Sequence, residues 1–229
     1  MKLLNIELTD KQIEQFNRYY ELLVEWNEKI NLTAITEKSE VWKKHFEDSA
    51  GIVEAIDVNL IESVIDVGTG AGFPGIPIKI LFPHIKLTLL DSLNKRINFL
   101  NLVIDELGLE DVRTIHGRAE DFGKNPDYRE MYDVCVSRAV ANLSTLSELC
   151  IPFVKVNGLF ISYKAEKAED ELSIAGKAIK ILGGGETNIV DVILPGTDYS
   201  RKLIVIKKFC NTSKKYPRKA GTPNKEPIV

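Results

Sequence analysis

The sequence predicts an α/β fold: a doubly wound, mostly parallel sheet of seven strands, an antiparallel hairpin at one sheet edge and an N-terminal helical extension. Three observations support this prediction. Apolar residues at helical spacing fill the start of the chain, and β-branched runs alternate with helical segments from Ser63 onward. The last two strands are separated only by a short turn. Alternating strands and helices are typical of a parallel sheet, whereas a short turn joins antiparallel neighbours.

The helical extension is predicted from a start signal and a spacing. Thr9 and Gln12 have the T-x-x-Q form of a capping box, in which each side chain bonds the other residue's backbone. Apolar residues then recur every three or four positions as far as Ile30. A second helical stretch is predicted over roughly residues 40–56. Together these segments form a predicted N-terminal helical cap over residues 1–58.

The central region, residues 59–210, carries the predicted sheet. Helices are predicted over residues 93–107, 142–153 and 166–182, and the last of these ends at three consecutive glycines. A turn over residues 195–198 joins the two strands of the edge hairpin. The seven predicted strands span residues 64–67, 86–90, 112–116, 132–137, 158–163, 188–194 and 202–207.

The tail, residues 211–229, is polar, contains three prolines and is predicted to be irregular. From Arg201 to the end there are nine Lys or Arg residues and one Glu, while the whole chain has a net charge of −3. An acidic body with a basic tail indicates a polyanionic partner, but a solvated tail that binds nothing remains an equal alternative.

Composition excludes some classes of protein. The apolar runs are shorter than a membrane span, and the N-terminus is too polar for a signal peptide, so a cytoplasmic location is expected. Cys135, Cys150 and Cys210 form no CxxC pair, which argues against a zinc site or a disulfide framework. All three thiols are expected to be buried, and no metal is expected.

A glycine-rich loop after the first core strand is the most informative stretch. Residues 70–75 match the G-x-G-x-x-G pattern of dinucleotide-binding proteins. Residues 66–72, Asp-Val-Gly-Thr-Gly-Ala-Gly, instead resemble the first motif of methyltransferases. Pro74 and Pro77 favour the second interpretation, because each removes an N–H group that a bound pyrophosphate would use. A tight turn without a ligand is the third alternative.

Two carboxylates support nucleoside binding at this loop. Asp91 ends the next strand, where its side chain can accept hydrogen bonds from both ribose hydroxyls. Every adenosine cofactor contains that ribose, so Asp91 does not choose between the two cofactor classes. Glu120 follows the third strand, where an acid beside a backbone N–H can recognise an adenine edge. This second carboxylate favours the methyl donor.

Seven blocks of sequence together resemble one known family. That family is the bacterial small-subunit (16S) ribosomal RNA guanine-N7 methyltransferases, also called glucose-inhibited division protein B. The resemblance runs in order from about Asn31 to Pro227 and implies a Rossmann-like class I methyltransferase fold. The blocks are residues 31–35 (NLTAI), 45–49 (HFEDS), 66–75 (DVGTGAGFPG), 91–100 (DSLNKRINFL), 117–120 (GRAE), 137–141 (SRAVA) and 216–223 (YPRKAGTP).

The resemblance implies S-adenosylmethionine as cofactor and a guanine of small-subunit ribosomal RNA as substrate. The family's cofactor positions match Gly68, Phe73, Ala119, Glu120 and Arg138. Our own reading of the chemistry adds three further cofactor residues: Gly70, Gly72 and Asp91. Where we expect a Lys-Gly pair the chain has Lys164-Ala165, so the resemblance assigns Lys164 no role.

Arg138 is the predicted catalytic residue, at the junction of cofactor and substrate. It is expected to pair with Glu120 or Asp66, or to contact the guanine. The segment 137–141 lacks the Asp/Asn-Pro-Pro-Tyr motif of adenine-N6 enzymes, and Cys135 and Cys150 lack the setting of a cytosine-C5 nucleophile. The predicted RNA-binding residues are Lys214, Lys215, Arg218 and Lys219.

Two competing functions remain open. The G-x-G-x-x-G match allows a nicotinamide-dependent oxidoreductase. A non-catalytic RNA-binding or ribosome-assembly protein that kept the fold is the other alternative. No DNA or membrane partner is indicated, and the sequence indicates no oligomer.

Overall fold

A computed structural model describes residues 1–138, 141–164, 167–197 and 200–229. It confirms the predicted sheet, with strand order β5-β4-β3-β6-β7-β9-β8. A small antiparallel hairpin of β1 (Lys2–Leu3) and β2 (Ile6–Glu7) precedes it. The sheet strands are β3 (Ser63–Val67), β4 (Lys86–Asp91), β5 (Val112–His116), β6 (Tyr132–Arg138), β7 (Val154–Lys164), β8 (Gly184–Ile193) and β9 (Ser200–Lys208).

Helices cover both faces of this sheet. The π-helical turn Trp42–Glu47 links α2 to α3, and short 3₁₀ turns span Gly51–Glu54, Val58–Leu60 and Ile151–Phe153. The α-helices are α1 (Asp10–Ile30), α2 (Lys38–Val41), α3 (Asp48–Ala50), α4 (Gly75–Leu81), α5 (Asn94–Leu107), α6 (Ala119–Phe122), α7 (Leu143–Cys150), α8 (Ala168–Ile181) and α9 (Thr222–Lys225).

The strand order creates a crevice at the carboxyl ends of the parallel strands. Strands β3 to β7 are parallel, and only β9 runs against them, between β7 and β8. The chain moves outward from β3 through β4 to β5 and then returns to β6 on the other side of β3. Ligands of open α/β sheets bind at such a reversal, beyond the carboxyl ends of the strands. The ends of β3 and β6 are therefore where a site is expected.

The N-terminal extension packs on the same face of the sheet as α4 and α5. The predicted capping box is present, since the Thr9 side chain accepts from the Gln12 backbone and the Gln12 side chain accepts from Thr9. The ring centroids of Tyr19 and Phe73 are 5.4 Å apart, and those of Trp26 and Phe99 are 5.7 Å apart. Burial of these rings attaches the extension firmly to the core, because large aromatic side chains contribute the most apolar area.

Several element boundaries differ from the predictions. Strand β7 starts at Val154 rather than at residue 158, and β8 starts at Gly184 rather than at 188. The Gly-Gly-Glu-Thr stretch that opens β8 has no apolar alternation, so the period that marks a strand is missing there. The predicted helix start at 166 and the turn residue Asp198 lie outside the described residues.

Two further observations concern cysteines and membranes. Cys135 and Cys150 are buried as predicted, but Cys210 is exposed, because it follows the last strand of the sheet. Within the described ranges, no helix is both long and apolar enough to span a bilayer. No group of three or more potential metal-binding side chains occurs in the part of the chain that the structure describes.

Candidate active site

The glycine loop leaves β3 at its carboxyl end and enters α4. Gly68, Gly70 and Gly72 all have positive φ, at 71°, 61° and 100°. Residues other than glycine rarely adopt these backbone angles, which explains the glycines at these positions. The backbone N–H groups of Gly68 and Thr69 both donate to the Leu90 carbonyl, at 2.9 and 3.2 Å. The loop is thus fixed to the end of β4.

Asp66 holds the loop from beneath. Its Oδ2 accepts from the Thr69 hydroxyl at 2.7 Å and from the Gly75 N–H at 2.9 Å. Its Oδ1 is buried without a partner. Burial raises the pKa of this carboxyl to about 6, although both hydrogen bonds oppose the rise. Asp66 therefore supports the glycine loop through two buried hydrogen bonds.

Gly70 and Gly72 face different surroundings. A Cβ added to Gly70 would meet nothing within 4 Å, whereas one added to Gly72 would lie 2.7 Å from the Tyr19 Oη and 2.8 Å from Ile76. The Tyr19 hydroxyl donates to the Ala71 carbonyl at 2.5 Å. Gly72 therefore packs against the helical extension. We predicted Gly72 to be a cofactor-binding residue, but Gly72 does not line the cleft above the loop.

A cleft with two compartments lies above the loop. The wide compartment, about 400 Å³, lies between the loop and the N-terminal extension. The narrow compartment, about 140 Å³, lies between β4 and the start of α6. Gly68, Asp91 and Ser92 line both, so the two compartments adjoin each other. Gly70, Phe73 and Arg138 line the wide compartment, and Ala119 and Glu120 line the narrow one.

Asp91 stands where the two compartments meet. Its Oδ1 accepts from the Leu93 N–H at 2.9 Å, and its Oδ2 accepts from the Gly70 N–H at 2.9 Å and from Arg96 Nη1 at 3.3 Å. The side chain is only 3% exposed. These bonds fix the carboxylate and use three of the about four acceptor positions of an ionised carboxyl group. The bond to the partly exposed Arg96 is the longest, and its release would give a ligand a second position.

Glu120 closes the far end of the narrow compartment. It lies in α6, is almost fully buried, and its Oε1 accepts from the Gly221 N–H at 2.8 Å. The partner comes from the tail, 101 residues further along the chain. The predicted proximity of Glu120 to the glycine loop is present, and the contribution of the tail is new.

Arg138, at the end of β6, does not pair with Glu120 or Asp66 as expected. Its Nη1 donates to Asp48 Oδ2 at 2.6 Å, and its guanidinium carbon lies 4.9 Å from the centroid of the Phe73 ring. Asp48 is buried and also accepts from Arg201 Nε at 2.6 Å. The prediction was wrong because the helical extension inserts its own carboxylate. No local pattern around Arg138 reveals that tertiary contact.

His45 is the site residue that sequence reasoning missed. Its ring stacks on Phe73 with centroids 4.5 Å apart, and its Nε2 lies 2.8 Å from the Thr33 hydroxyl. Nδ1 lies 3.2 Å from Arg138 Nη2, which can only donate, and 3.1 Å from the Lys44 carbonyl, which can only accept. Burial, followed by the charges of Arg138 and Arg201, lowers the His45 pKa to about 3.

A signal for this contact was present in the sequence. His45 and Asp48 lie in one of the resembling blocks, and Thr33 lies in another. Residue type gave no reason to choose them, because a histidine within a helix is usually a packing residue. The π-helical turn that carries His45 is a feature found frequently at functional sites, but it cannot be read from the sequence.

The predicted RNA-binding residues fall into two groups. Lys214, Lys215 and Lys219 are exposed on the tail. Arg218 instead makes a bidentate contact with Glu148, at 3.0 Å from Nε and 2.6 Å from Nη2. Glu148 is fully buried. The Nε and Nη2 of Arg218 are therefore engaged inside the protein, whereas the three lysines face solvent.

A larger groove of about 710 Å³ lies elsewhere, between α1 and the end of α5. It is lined by exposed charged side chains such as Arg18, Glu21 and Glu106, which pair with one another. It contains neither a glycine loop nor strand ends. Size alone therefore does not identify the site.

Comparison with known proteins agrees with this geometry. The family model described as rRNA small subunit methyltransferase G matches residues 12–203. The chain belongs to this family. The ribosomal RNA small subunit methyltransferase G of Lactococcus lactis subsp. cremoris is 58% identical to this chain over 225 residues, which cover 98% of this chain and 94% of the relative. The one from Bacillus subtilis is 56% identical over 223 residues, covering 97% and 93%.

Solved structures outside the family share the fold of the rRNA small subunit methyltransferase G family. A SAM dependent methyltransferase from Aquifex aeolicus superposes with a TM-score of 0.54 at 18% identity, covering 73% of this chain and 92% of its own. A SAM-dependent O-methyltransferase from Thermotoga maritima gives 0.54 at 15% identity, covering 82% and 72%. These likenesses support the Rossmann-like class I methyltransferase fold.

Proposed function

We propose that this chain transfers the methyl group of S-adenosylmethionine to N7 of a guanine in small-subunit (16S) ribosomal RNA. The observation that carries the proposal is family membership over nearly the whole chain, at 58% identity to a relative named as a ribosomal RNA small subunit methyltransferase. The two-compartment cleft at the carboxyl ends of the strands supports it. The protein is thus an S-adenosylmethionine-dependent methyltransferase.

The residues of the cleft fit the cofactor. The open space beside Gly70 is one that any side chain would fill, so the bare backbone leaves room for a ligand. Asp91 is positioned to bind the two ribose hydroxyls, and the narrow compartment beside Ala119 and Glu120 is placed to receive the adenine. Gly68 borders both parts. The methionine portion is then expected in the wide compartment, next to Phe73 and Arg138.

Bound S-adenosylmethionine supplies a methyl group that is strongly electrophilic because it is attached to a sulfonium. Guanine N7 carries an in-plane lone pair and no proton, so the protein need not provide a general base. The lowered pKa of His45 agrees with that, because it makes the ring a weak base. The chain's own task is to align the two reactants and exclude water.

Arg138 is assigned to the junction of cofactor and guanine. Its position is fixed by Asp48 and by the Phe73 ring. Asp48 also pairs with Arg201, so one carboxylate offsets only part of the positive charge of two guanidinium groups. Because N7 methylation makes the purine cationic, we assign Arg138 to orienting the guanine rather than to stabilising its charge.

The exposed lysines of the tail, Lys214, Lys215 and Lys219, are assigned to phosphates of the RNA. The target guanine must reach the wide compartment unpaired or flipped out of its stack. The partner is therefore ribosomal RNA or the small subunit, in the cytoplasm, with no DNA or membrane partner.

Transfer of radiolabelled methyl from S-adenosylmethionine to small-subunit RNA tests the function. We expect the wild-type protein to label the RNA and the Arg138→Lys variant to be at least tenfold slower, since a lysine lacks the planar guanidinium that contacts Asp48, His45 and Phe73 together. A wild-type protein that binds S-adenosylhomocysteine but labels no RNA would indicate the non-catalytic alternative. Thermal stabilisation by NADH instead of S-adenosylhomocysteine would indicate the oxidoreductase.

A further inference from the structure

The C-terminal segment, residues 211–229, is part of the cleft. Asn224, in the short helix α9, lines the narrow compartment opposite Ala119 and Glu120. Leu149 of α7 forms the adjoining wall. A segment that the sequence presented as a basic arm therefore contributes one side of the space assigned to adenine. We call residues 211–229 the C-terminal strap.

The strap is held by a buried ion pair on one side of α9. Glu148, inside α7, accepts from the Arg218 backbone N–H at 2.7 Å as well as from its guanidinium. Arg218 Nη2 also donates to the Glu226 carbonyl at 2.7 Å. Residues on both sides of α9 are thus joined to one buried carboxylate. Breaking such a pair leaves an uncompensated buried charge, so the strap is strongly fixed.

Two hydrogen bonds place α9 against the narrow compartment. The Thr145 hydroxyl donates to the Pro223 carbonyl at 3.0 Å, and the Gly221 N–H donates to Glu120 Oε1 at 2.8 Å. The first bond joins the strap to α7 and the second joins it to α6. Asn224 follows directly after these anchors, so its position is set by contacts on both sides of the compartment.

The start of the strap is anchored separately. Arg129 Nη1 donates to the Tyr216 carbonyl at 2.9 Å, and Arg129 Nη2 donates to the Thr212 carbonyl at 2.6 Å. The Thr212 N–H donates to Glu130 Oε1 at 2.7 Å. The exposed Lys214 and Lys215 lie between these two anchors, and the exposed Lys219 lies between Tyr216 and α9. One segment therefore has an inner side that contacts the cleft and an outer side that carries positive charge.

We propose that the C-terminal strap completes the adenine subsite and that Asn224 contacts the edge of the base. This rests on the proposed cofactor site. The bond from Gly221 occupies one oxygen of Glu120 and orients the carboxylate, so Glu120 and Asn224 can face the same base. An amide beside a carboxylate offers both donors and acceptors, which matches the mixed hydrogen-bonding edge of adenine. The strap is thus a cofactor-binding element as well as a surface for RNA.

Calorimetry on the full chain tests the assignment, with S-adenosylhomocysteine and its inosine analogue as ligands. The analogue replaces the amino group of the base by a carbonyl and carries a proton on N1, so the donor and the acceptor of that edge are exchanged. We expect Asn224→Ala to weaken binding of the adenosine ligand about tenfold, the loss typical of one hydrogen bond. The same variant should bind the inosine ligand with nearly unchanged affinity, because that base edge is already mismatched.

Lys225→Ala is the matched control, one residue further along α9 and exposed, and it should leave both affinities unchanged. Thr145→Val removes the hydroxyl that holds Pro223 and should weaken adenosine binding a few-fold while Asn224 is intact. Equal affinity of Asn224→Ala and wild type, or equal loss for both ligands, would overturn the proposal. If the wild type binds neither ligand, the cofactor site itself is wrong.

Discussion

At the scale of single residues, the site depends on a buried ionic cluster. Asp48 accepts from two guanidinium groups, those of Arg138 at the end of β6 and of Arg201 in β9. His45 contacts the guanidinium of Arg138. Two positive charges around one carboxylate leave a net positive environment, and burial strengthens its effect. The neutral state of His45 follows from this environment.

The His45 ring should stay neutral far below the usual pKa of histidine. A folded-state pKa near 3 against 6.5 for the free side chain means that this group stabilises the fold fully above pH 6.5. That stabilisation is lost as pH falls towards 3. Unfolding at pH 5 should require about 2 kcal/mol less than at pH 8 from this group alone.

NMR and urea unfolding check this prediction. The His45 ring signals should remain constant from pH 8 to pH 5, and His45→Gln should remove the corresponding part of the pH dependence of unfolding. A ring that takes up a proton near pH 6.5 in the folded protein would contradict the arrangement with Arg138.

That Gly68, Gly70 and Asp91 bind the cofactor stays a prediction. Sequence reasoning did group three residues that line the cleft, because strand ends and glycines carry local signals. It failed for the partner of Arg138 and for His45. Those contacts join the helical extension to the sheet, and a single sequence does not show which residues of the two lie close together.

At the scale of elements, the glycine loop has two faces with different tasks. The Gly70 side opens to the cleft, and the Gly72 side packs against Tyr19 of α1. The helical extension therefore supports the loop from behind, through a contact that no loop motif predicts. The two glycines should respond differently to the same substitution.

Gly70→Ala should fold with a loss of about 1–2 kcal/mol from its positive φ, and its methyl group should block S-adenosylhomocysteine. Gly72→Ala should lose roughly 2–4 kcal/mol, because the methyl group also collides with Tyr19 and Ile76. Urea unfolding gives the stabilities, and calorimetry on the folded fraction gives the affinities. A Gly72→Ala variant as stable as the wild type would contradict the packing role of Gly72. A Gly70→Ala variant that binds S-adenosylhomocysteine with unchanged affinity would contradict the position of Gly70 at the cleft.

Strands were predicted well where apolar periodicity was strong. The prediction for β5 was the observed Val112–His116, and those for β3 and β4 differed by one residue. The π-helical turn Trp42–Glu47 was predicted as ordinary helix, since its spacing differs little from α-helical spacing over six residues. The tail was predicted as irregular, and most of it is, but its packing against α7 was not foreseen.

At the scale of the whole molecule, charge is separated between the body and the strap. The inner side of the strap binds the core, and its lysines remain outside. Polyanion binding by these lysines should depend on salt, since each phosphate contact releases counterions. Cofactor binding should not depend on them.

Replacing Lys214, Lys215 and Lys219 together with alanine should raise the KM for RNA roughly tenfold and flatten its dependence on salt. The affinity for S-adenosylhomocysteine should not change. Lys86→Ala is the control, because Lys86 is exposed at the start of β4, at the end of the strand away from the cleft. The measurement is a set of methyl-transfer rates at two or more salt concentrations. An unchanged KM for the triple variant would place the RNA on another surface.

A crystal structure of the chain with S-adenosylhomocysteine tests the central claim most directly. The account predicts the ribose hydroxyls on Asp91, the base in the narrow compartment between Glu120 and Asn224, and the sulfur in the wide compartment near Arg138. A ligand bound in the groove between α1 and α5, or a base turned away from Glu120, would contradict it.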